Sequence, residues 1–157
     1  MNFIKLNGAT IHYQFIQKAN HVANDTTFVL INSLGTDFRI WHELVEPLHR
    51  CGNVLLYDKR GHGLSDVVEN TNSLDDYTDD LLALLQYLHV SSCTPIGLSV
   101  GGMIAQKLMN RIPAIVEKLI LCDTRYKIGN EQIWNERISV VKEKGLGGIS
   151  DGVMQRW

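Results

Sequence analysis

"PIGLSVGGMIAQ", residues 95–106, sets three glycines around one serine where an apolar run gives way to a helical pattern. Glycine is unfavourable inside both strands and helices, so such a cluster marks a backbone path that a Cβ would obstruct. Residues 97–101, Gly-Leu-Ser-Val-Gly, fit the G-x-S-x-G nucleophile elbow, and the flanks are those the motif requires: a strand-like run before it and a helical stripe after it. An elbow of this kind strains its serine, and Gly97 and Gly101 would relieve the crowding from strand and helix. Ser99 is thus the candidate nucleophile, with its hydroxyl just ahead of a helix N-terminus that favours developing negative charge. A plain Gly-rich turn and a phosphate-binding loop are the alternatives. The second lacks both G-x-G-x-x-G and a Lys-Ser/Thr pair after the last glycine.

Outward from the elbow, short aliphatic runs alternate with helical stripes. "TTFVLIN" (26–32), "NVLLYD" (53–58), "CTPIGL" (93–98) and "VEKLILC" (116–122) lack clear polar alternation, as strands buried on both faces do. The opening "NFIKLNGATIHYQFI" splits at Asn7-Gly8 into two alternating runs, a hairpin signature. Residues 38–49 place Trp41, Leu44, Val45 and Leu48 on one helical stripe. Residues 74–89 place Leu74, Tyr77, Leu81, Leu84, Leu85 and Leu88 on a second, with Ser73 as N-cap and Asp75, Asp76, Asp79 and Asp80 toward the positive end of the helix dipole. Residues 100–112 place Met103, Ile104, Leu108 and Ile112 on a third, ended by Pro113. The expected fold class is α/β: a doubly wound, mainly parallel sheet behind an N-terminal antiparallel hairpin. In such sheets reactive groups gather beyond the C-terminal ends of the strands.

Composition narrows the function. At 157 residues and 45% hydrophobic, the chain has material for one sizeable core, and its net charge of −2 with scattered Lys and Arg gives no footprint for nucleic acid. No run is long enough to span a bilayer, and the N-terminus lacks the apolar stretch of a signal peptide. Cys51, Cys93 and Cys122, an odd number set far apart, read as reduced, buried thiols of a cytoplasmic protein.

Acyl transfer also needs donors for the oxyanion. One is expected from the Val100 N–H, the residue after the nucleophile, and the other from the loop after the third strand, "NSLGTDFRIW", where Leu34 N–H is the candidate and an ordinary strand-to-helix connection is the alternative.

With these residues in view, the chain resembles the α/β-hydrolase superfamily and, within it, the 3-oxoadipate enol-lactonases. The resemblance rests on "INSLGTDFRIWHELVEPL", "LLYDKRGHGLSD", "YTDDLLALLQYL", "IGLSVGGMIAQ", "KLILCDT" and "IGNEQIWNERI". It implies hydrolysis of an enol-lactone to 3-oxoadipate in the catabolism of aromatic compounds, with Ser99 as nucleophile, no cofactor and no metal. A small lactone would be the partner. Its free carboxylate would suit Arg125, just past a strand end, and Trp134 would wall the pocket; a solvated arginine and a helix-core tryptophan are the alternatives.

The same resemblance implies that residues 1–128 form the N-terminal part of the hydrolase core and 129–157 the start of a helical lid. The later strands, most of the lid, the catalytic acid and the histidine are then expected beyond Trp157. "ISDGVMQRW" keeps Ile149, Val153 and Trp157 at helical spacing without a C-cap glycine, as a continuing helix would. His12, His21, His42, His49, His62 and His89 lie in the hairpin, in the 58–66 loop or on helices, and none is the expected base. Asp123 follows a strand as some hydrolase acids do, although related lactonases carry asparagine there. The sixth strand, 116–122, is expected to expose an edge through which the chain could self-associate. Another carboxylic ester hydrolase, or a non-catalytic protein that keeps the elbow as structure, are the competing readings.

Overall fold

The computed structural model describes residues 1–18, 25–68 and 73–155; His21 and Trp157 lie outside them. Two compact units are present, Met1–Tyr126 and Lys127–Trp157.

In the first unit, Asn7 and Gly8 take φ of 47° and 83°. Such a pair of left-handed residues is what a two-residue hairpin turn needs, and it sets Leu6 opposite Ala9 where β1 (Asn2–Leu6) meets β2 (Ala9–Ile16). The remaining strands are β3 (Thr27–Ile31), β4 (Asn53–Tyr57), β5 (Cys93–Leu98) and β6 (Ile120–Cys122), ordered β1-β2-β4-β3-β5-β6. β4, β3, β5 and β6 are mutually parallel, whereas β2 meets β4 antiparallel. From β3 the chain places β4 on one side and β5 on the other. The order therefore reverses at β3, and ligands of open α/β sheets sit beyond such a switch point.

The missing alternation in β3 and β4 has a direct cause: both faces are covered. Val29, Ile31, Leu55 and Tyr57 pack with Leu81, Leu84 and Leu85 of α2 (Leu74–Tyr87) and with Ile104 and Leu108 of α3 (Val100–Arg111). Leu30, Val54, Leu56 and Ile96 form the opposite cluster, with Trp41 and with Val45 and Leu48 of α1 (His42–His49). Ser73 and Asp76 close a reciprocal capping box at the start of α2. Lys107 and Arg111 of α3 pair with Asp75 and Asp79 of α2.

Three sequence expectations need correction. Only Ile120–Cys122 of the run 116–122 forms a strand. Val116 makes an isolated parallel bridge to Cys93, and Glu117 N–H donates to the Cys93 carbonyl, so the segment touches β5 at both ends and leaves the ladder between. Leu44 is 43% exposed, because residues 38–41 form a 3₁₀ turn whose tighter winding offsets Trp41 from the stripe of α1. Of the cysteines, Cys93 is buried, Cys122 is half-buried, and Cys51 is exposed in the turn that ends α1.

The second unit holds α4 (Glu131–Lys144) and α5 (Gly147–Met154). The Asn130 side chain accepts from Ile133 N–H, capping α4. Among the described residues, no helix is long and apolar enough to cross a membrane.

Candidate active site

β5 ends at Leu98 and α3 begins at Val100, so Ser99 alone makes the turn, at φ 55° and ψ −117°. A serine pays a steric cost there, of order 1–3 kcal/mol, that the surroundings must hold in place. They do so through its backbone. Ser99 N–H donates to the Cys122 carbonyl (3.0 Å), and its own carbonyl accepts from Gly102 N–H (2.9 Å) and Thr124 Oγ1 (2.6 Å).

The glycines are required by contact. A Cβ on Gly97 would stand 2.4 Å from the Gly101 carbonyl oxygen, and one on Gly101 would stand 2.1 Å from that of Ile31. One on Gly102 would lie 2.5 Å from the Thr124 methyl. The first turn of α3 is therefore pressed onto the end of β3, and this close approach sets the elbow beside the loop that leaves β3. The Val100 N–H opens α3, where unsatisfied amides and the helix dipole favour an anion.

The loop leaving β3 carries Leu34, whose side chain is exposed, in a turn completed by Gly35 at φ 75°. Its backbone is held on several sides. The Asn32 amide donates to the Thr36 carbonyl, and Thr36 Oγ1 donates to the Ser33 carbonyl at 3.1 Å. Lys59 Nζ donates to the carbonyls of Asn32 (3.0 Å) and Ser33 (3.1 Å).

Lys59 went unnoticed in the sequence because an isolated lysine ordinarily reads as surface. It is 1% exposed. Burial drives its amine down to about 7, with Asp58 opposing the shift. The only available signal was its place in "YDKRGHG", between an apolar run and a glycine-rich turn. Asp58 beside it is also buried: its carboxylate accepts from Phe38 N–H (2.9 Å), Leu64 N–H (3.0 Å) and His12 Nδ1 (2.8 Å). Arg60 closes a buried pair with Asp80 of α2 through two 2.6 Å bonds.

Among the described residues, no histidine hydrogen-bonds to Ser99. His12 is committed to Asp58, His62 to the Arg60 carbonyl, and His42 to Glu43; His89 is exposed and His49 half-buried on α1. Burial and the nearby Lys59 hold the His62 imidazole below its usual range. Asp123 is exposed at φ 40°, and Arg125 is exposed. In the second unit, the Trp134 indole donates to the Ile128 carbonyl (2.7 Å), and its ring lies under the Arg137 guanidinium. The described residues include no cluster of three or more His, Cys, Asp or Glu arranged to hold a metal ion.

A family model described as serine aminopeptidase, S33, matches residues 23–149. Two enzymes of Acinetobacter baylyi, 3-oxoadipate enol-lactonases 2 and 1, are 33% and 35% identical to the chain. The first match takes in 86% of this chain and 51% of the enzyme, the second 88% and 52%. The chain thus spans about half the length of these curated relatives. The crystal structure of an enol-lactonase from Burkholderia xenovorans superposes with a TM-score of 0.93 at 32% identity, covering 99% of this chain and 59% of that one. Sequence and fold agree that the chain belongs to the α/β-hydrolases, in the family described as serine aminopeptidase, S33.

Proposed function

We propose that the protein is a carboxylic ester hydrolase that opens an enol-lactone, converting 3-oxoadipate enol-lactone to 3-oxoadipate in aromatic catabolism. The observation that carries this reading is the left-handed backbone of Ser99 between β5 and the N-terminus of α3. The names of the Acinetobacter relatives support the choice of lactone.

In this reading Ser99 Oγ attacks the lactone carbonyl carbon while a base takes its proton. The resulting oxyanion is held by the N–H groups of Val100 and Leu34. Collapse breaks the ring C–O bond, and the enol oxygen leaves and takes up the proton from the base, leaving an acyl-serine whose enol becomes the ketone by losing its O–H proton and gaining one on the adjacent carbon. Water then cleaves that ester to the carboxylic acid and restores the hydroxyl. We assign the base to a histidine outside the described residues, since none of those described hydrogen-bonds to Ser99, and His12, His62 and His42 are bonded elsewhere. Arg125 would meet the substrate's free carboxylate. The reaction as written needs no cofactor or metal. The free cysteines support a cytoplasmic setting.

The test is hydrolysis of enol-lactone by the protein at its full encoded length, beside a panel of acyclic esters. The proposal expects the lactone to be preferred and Ser99→Ala to lower kcat by about 10⁴-fold or more. Preference for acyclic esters would move the assignment to another ester hydrolase. Undiminished turnover by Ser99→Ala would end the nucleophile assignment, and no turnover of any ester would favour a non-catalytic protein.

A further inference from the structure

We propose that Lys59 is a positioning residue for the oxyanion site: by holding the Ser33 carbonyl it aims and polarises the Leu34 N–H. The inference rests on the reading of Leu34 N–H as an oxyanion donor to the Ser99 reaction.

The Ser33 carbonyl and the Leu34 N–H belong to one peptide group. In a trans peptide these bonds point in opposite directions across a plane that resists rotation, so a donor that fixes the carbonyl fixes the direction of the N–H. Lys59 Nζ reaches this carbonyl at 3.1 Å and the preceding one, that of Asn32, at 3.0 Å. Two consecutive peptides of the turn are thereby held from one point. Gly35, at φ 75°, follows directly, a residue type whose backbone resists rotation least, so the fixing of the peptides before it falls to these bonds and to those of Asn32 and Thr36.

The arrangement is costly for a stability device. Lysine is rarely buried without an ion partner, yet among the described residues the Lys59 ammonium makes no ion pair; its bonds go to carbonyls. The neighbouring Asp58 carboxylate is occupied by Phe38, Leu64 and His12. A cation on a carbonyl oxygen draws electron density from the amide and strengthens its N–H as a donor. That is the property an oxyanion site uses, where charge develops in a water-poor setting and each donor matters. Thr36 Oγ1 also donates to the Ser33 carbonyl but brings no charge.

The amine, lowered to about 7 by burial, gives a readout separate from activity. The Asp58 carboxylate acts on it, and it acts in turn on the His62 imidazole, which it helps to hold down. The experiment follows the Leu34 amide and the Lys59 side chain by nuclear magnetic resonance across neutral pH in the full-length protein. It is repeated in His62→Gln to remove the imidazole. The Leu34 amide is expected to shift with the Lys59 midpoint, and this shift is expected to vanish in Lys59→Met. The same variant is expected to lower kcat for ester hydrolysis by about tenfold with KM held within about twofold. A Leu34 amide indifferent to Lys59 protonation overturns the proposal, as does unchanged kcat in folded Lys59→Met while Ser99→Ala abolishes turnover. Should Lys59→Met fail to fold, the wild-type and His62→Gln titrations decide. Should Ser99→Ala retain turnover, the nucleophile reading fails on its own, and the coupling of Lys59 to Leu34 is still decided by the titration.

Discussion

Thr124 Oγ1 donates to the Ser99 carbonyl oxygen at 2.6 Å, joining the loop after β6 to the one residue that turns from β5 into α3. The same side chain fills the space against Gly102. Thr124→Val keeps the shape and removes the donor. Because Gly102 N–H still satisfies the carbonyl, the loss is that of one ordinary hydrogen bond, about 1 kcal/mol. Thermal unfolding is expected to report that loss. If Ser99 is the nucleophile, ester hydrolysis is expected to fall through kcat rather than KM. Unchanged melting and turnover would remove Thr124 from the support of the elbow.

Gly101 carries a stricter requirement. Alanine there would place its Cβ 2.1 Å from the Ile31 carbonyl oxygen, a backbone atom inside the β3–β5 ladder. Neither partner can move without shifting a strand or the start of α3, so Gly101→Ala is expected to cost about 3 kcal/mol. Denaturant unfolding checks this. A loss below about 1 kcal/mol would show that the helix start can slide on the sheet.

What could be read from sequence followed the range of the interactions involved. The elbow, the Asn7-Gly8 turn and the Ser73 cap are decided by residues within a few positions of each other, and their spacing carries the information. The doubly covered sheet was legible because β3 and β4 run without polar alternation after their first residues, Thr27 and Asn53. Lys59 was not legible: its environment is made by Asn32 and Ser33, far off in sequence, and its place between an apolar run and a glycine-rich turn is the one local sign that sets it apart from a solvated lysine. Asp58 and its contact with His12 were hidden for the same reason. The start of β6 was overextended because "VEKLILC" is apolar enough for seven paired residues, whereas an edge strand is shaped by the one neighbour it has. Leu44 was misplaced because a helical period was carried through a 3₁₀ turn.

β6 is paired with β5 on one side, and among the described residues no strand covers the other. Ile120 and Leu121 are 42% and 44% exposed beside that edge. We propose that the 157-residue chain self-associates here, since unpaired amides and carbonyls next to apolar side chains template further pairing. Sedimentation at micromolar concentration is expected to show dimers or larger species, shifted toward monomer by Leu121→Lys. A monomeric wild-type chain would refute the proposal.

The buried amine of Lys59 makes the stability of the fold rise with pH. Its folded value, about 7, lies below the ordinary 10.5, so between those limits the unfolded chain binds the proton that the folded chain has released. Stability then increases with pH across that window, and the penalty for burying the cation is greatest below pH 7. Two other groups bound the range in which this can be seen. His62, held under its ordinary 6.5, adds a rise of the same sign at lower pH. Cys93, pushed by burial from 9.0 to about 12, offsets the rise once unfolded thiols ionise. Between about pH 7 and 9 the slope belongs chiefly to Lys59 and amounts to about 2 kcal/mol in all. Urea unfolding at a series of pH values is expected to show this rise in wild type and a flat profile in Lys59→Met, which has no proton to exchange. A wild-type profile that falls with pH over this range, or a rise that survives in Lys59→Met, would show that the lysine is not the group responsible.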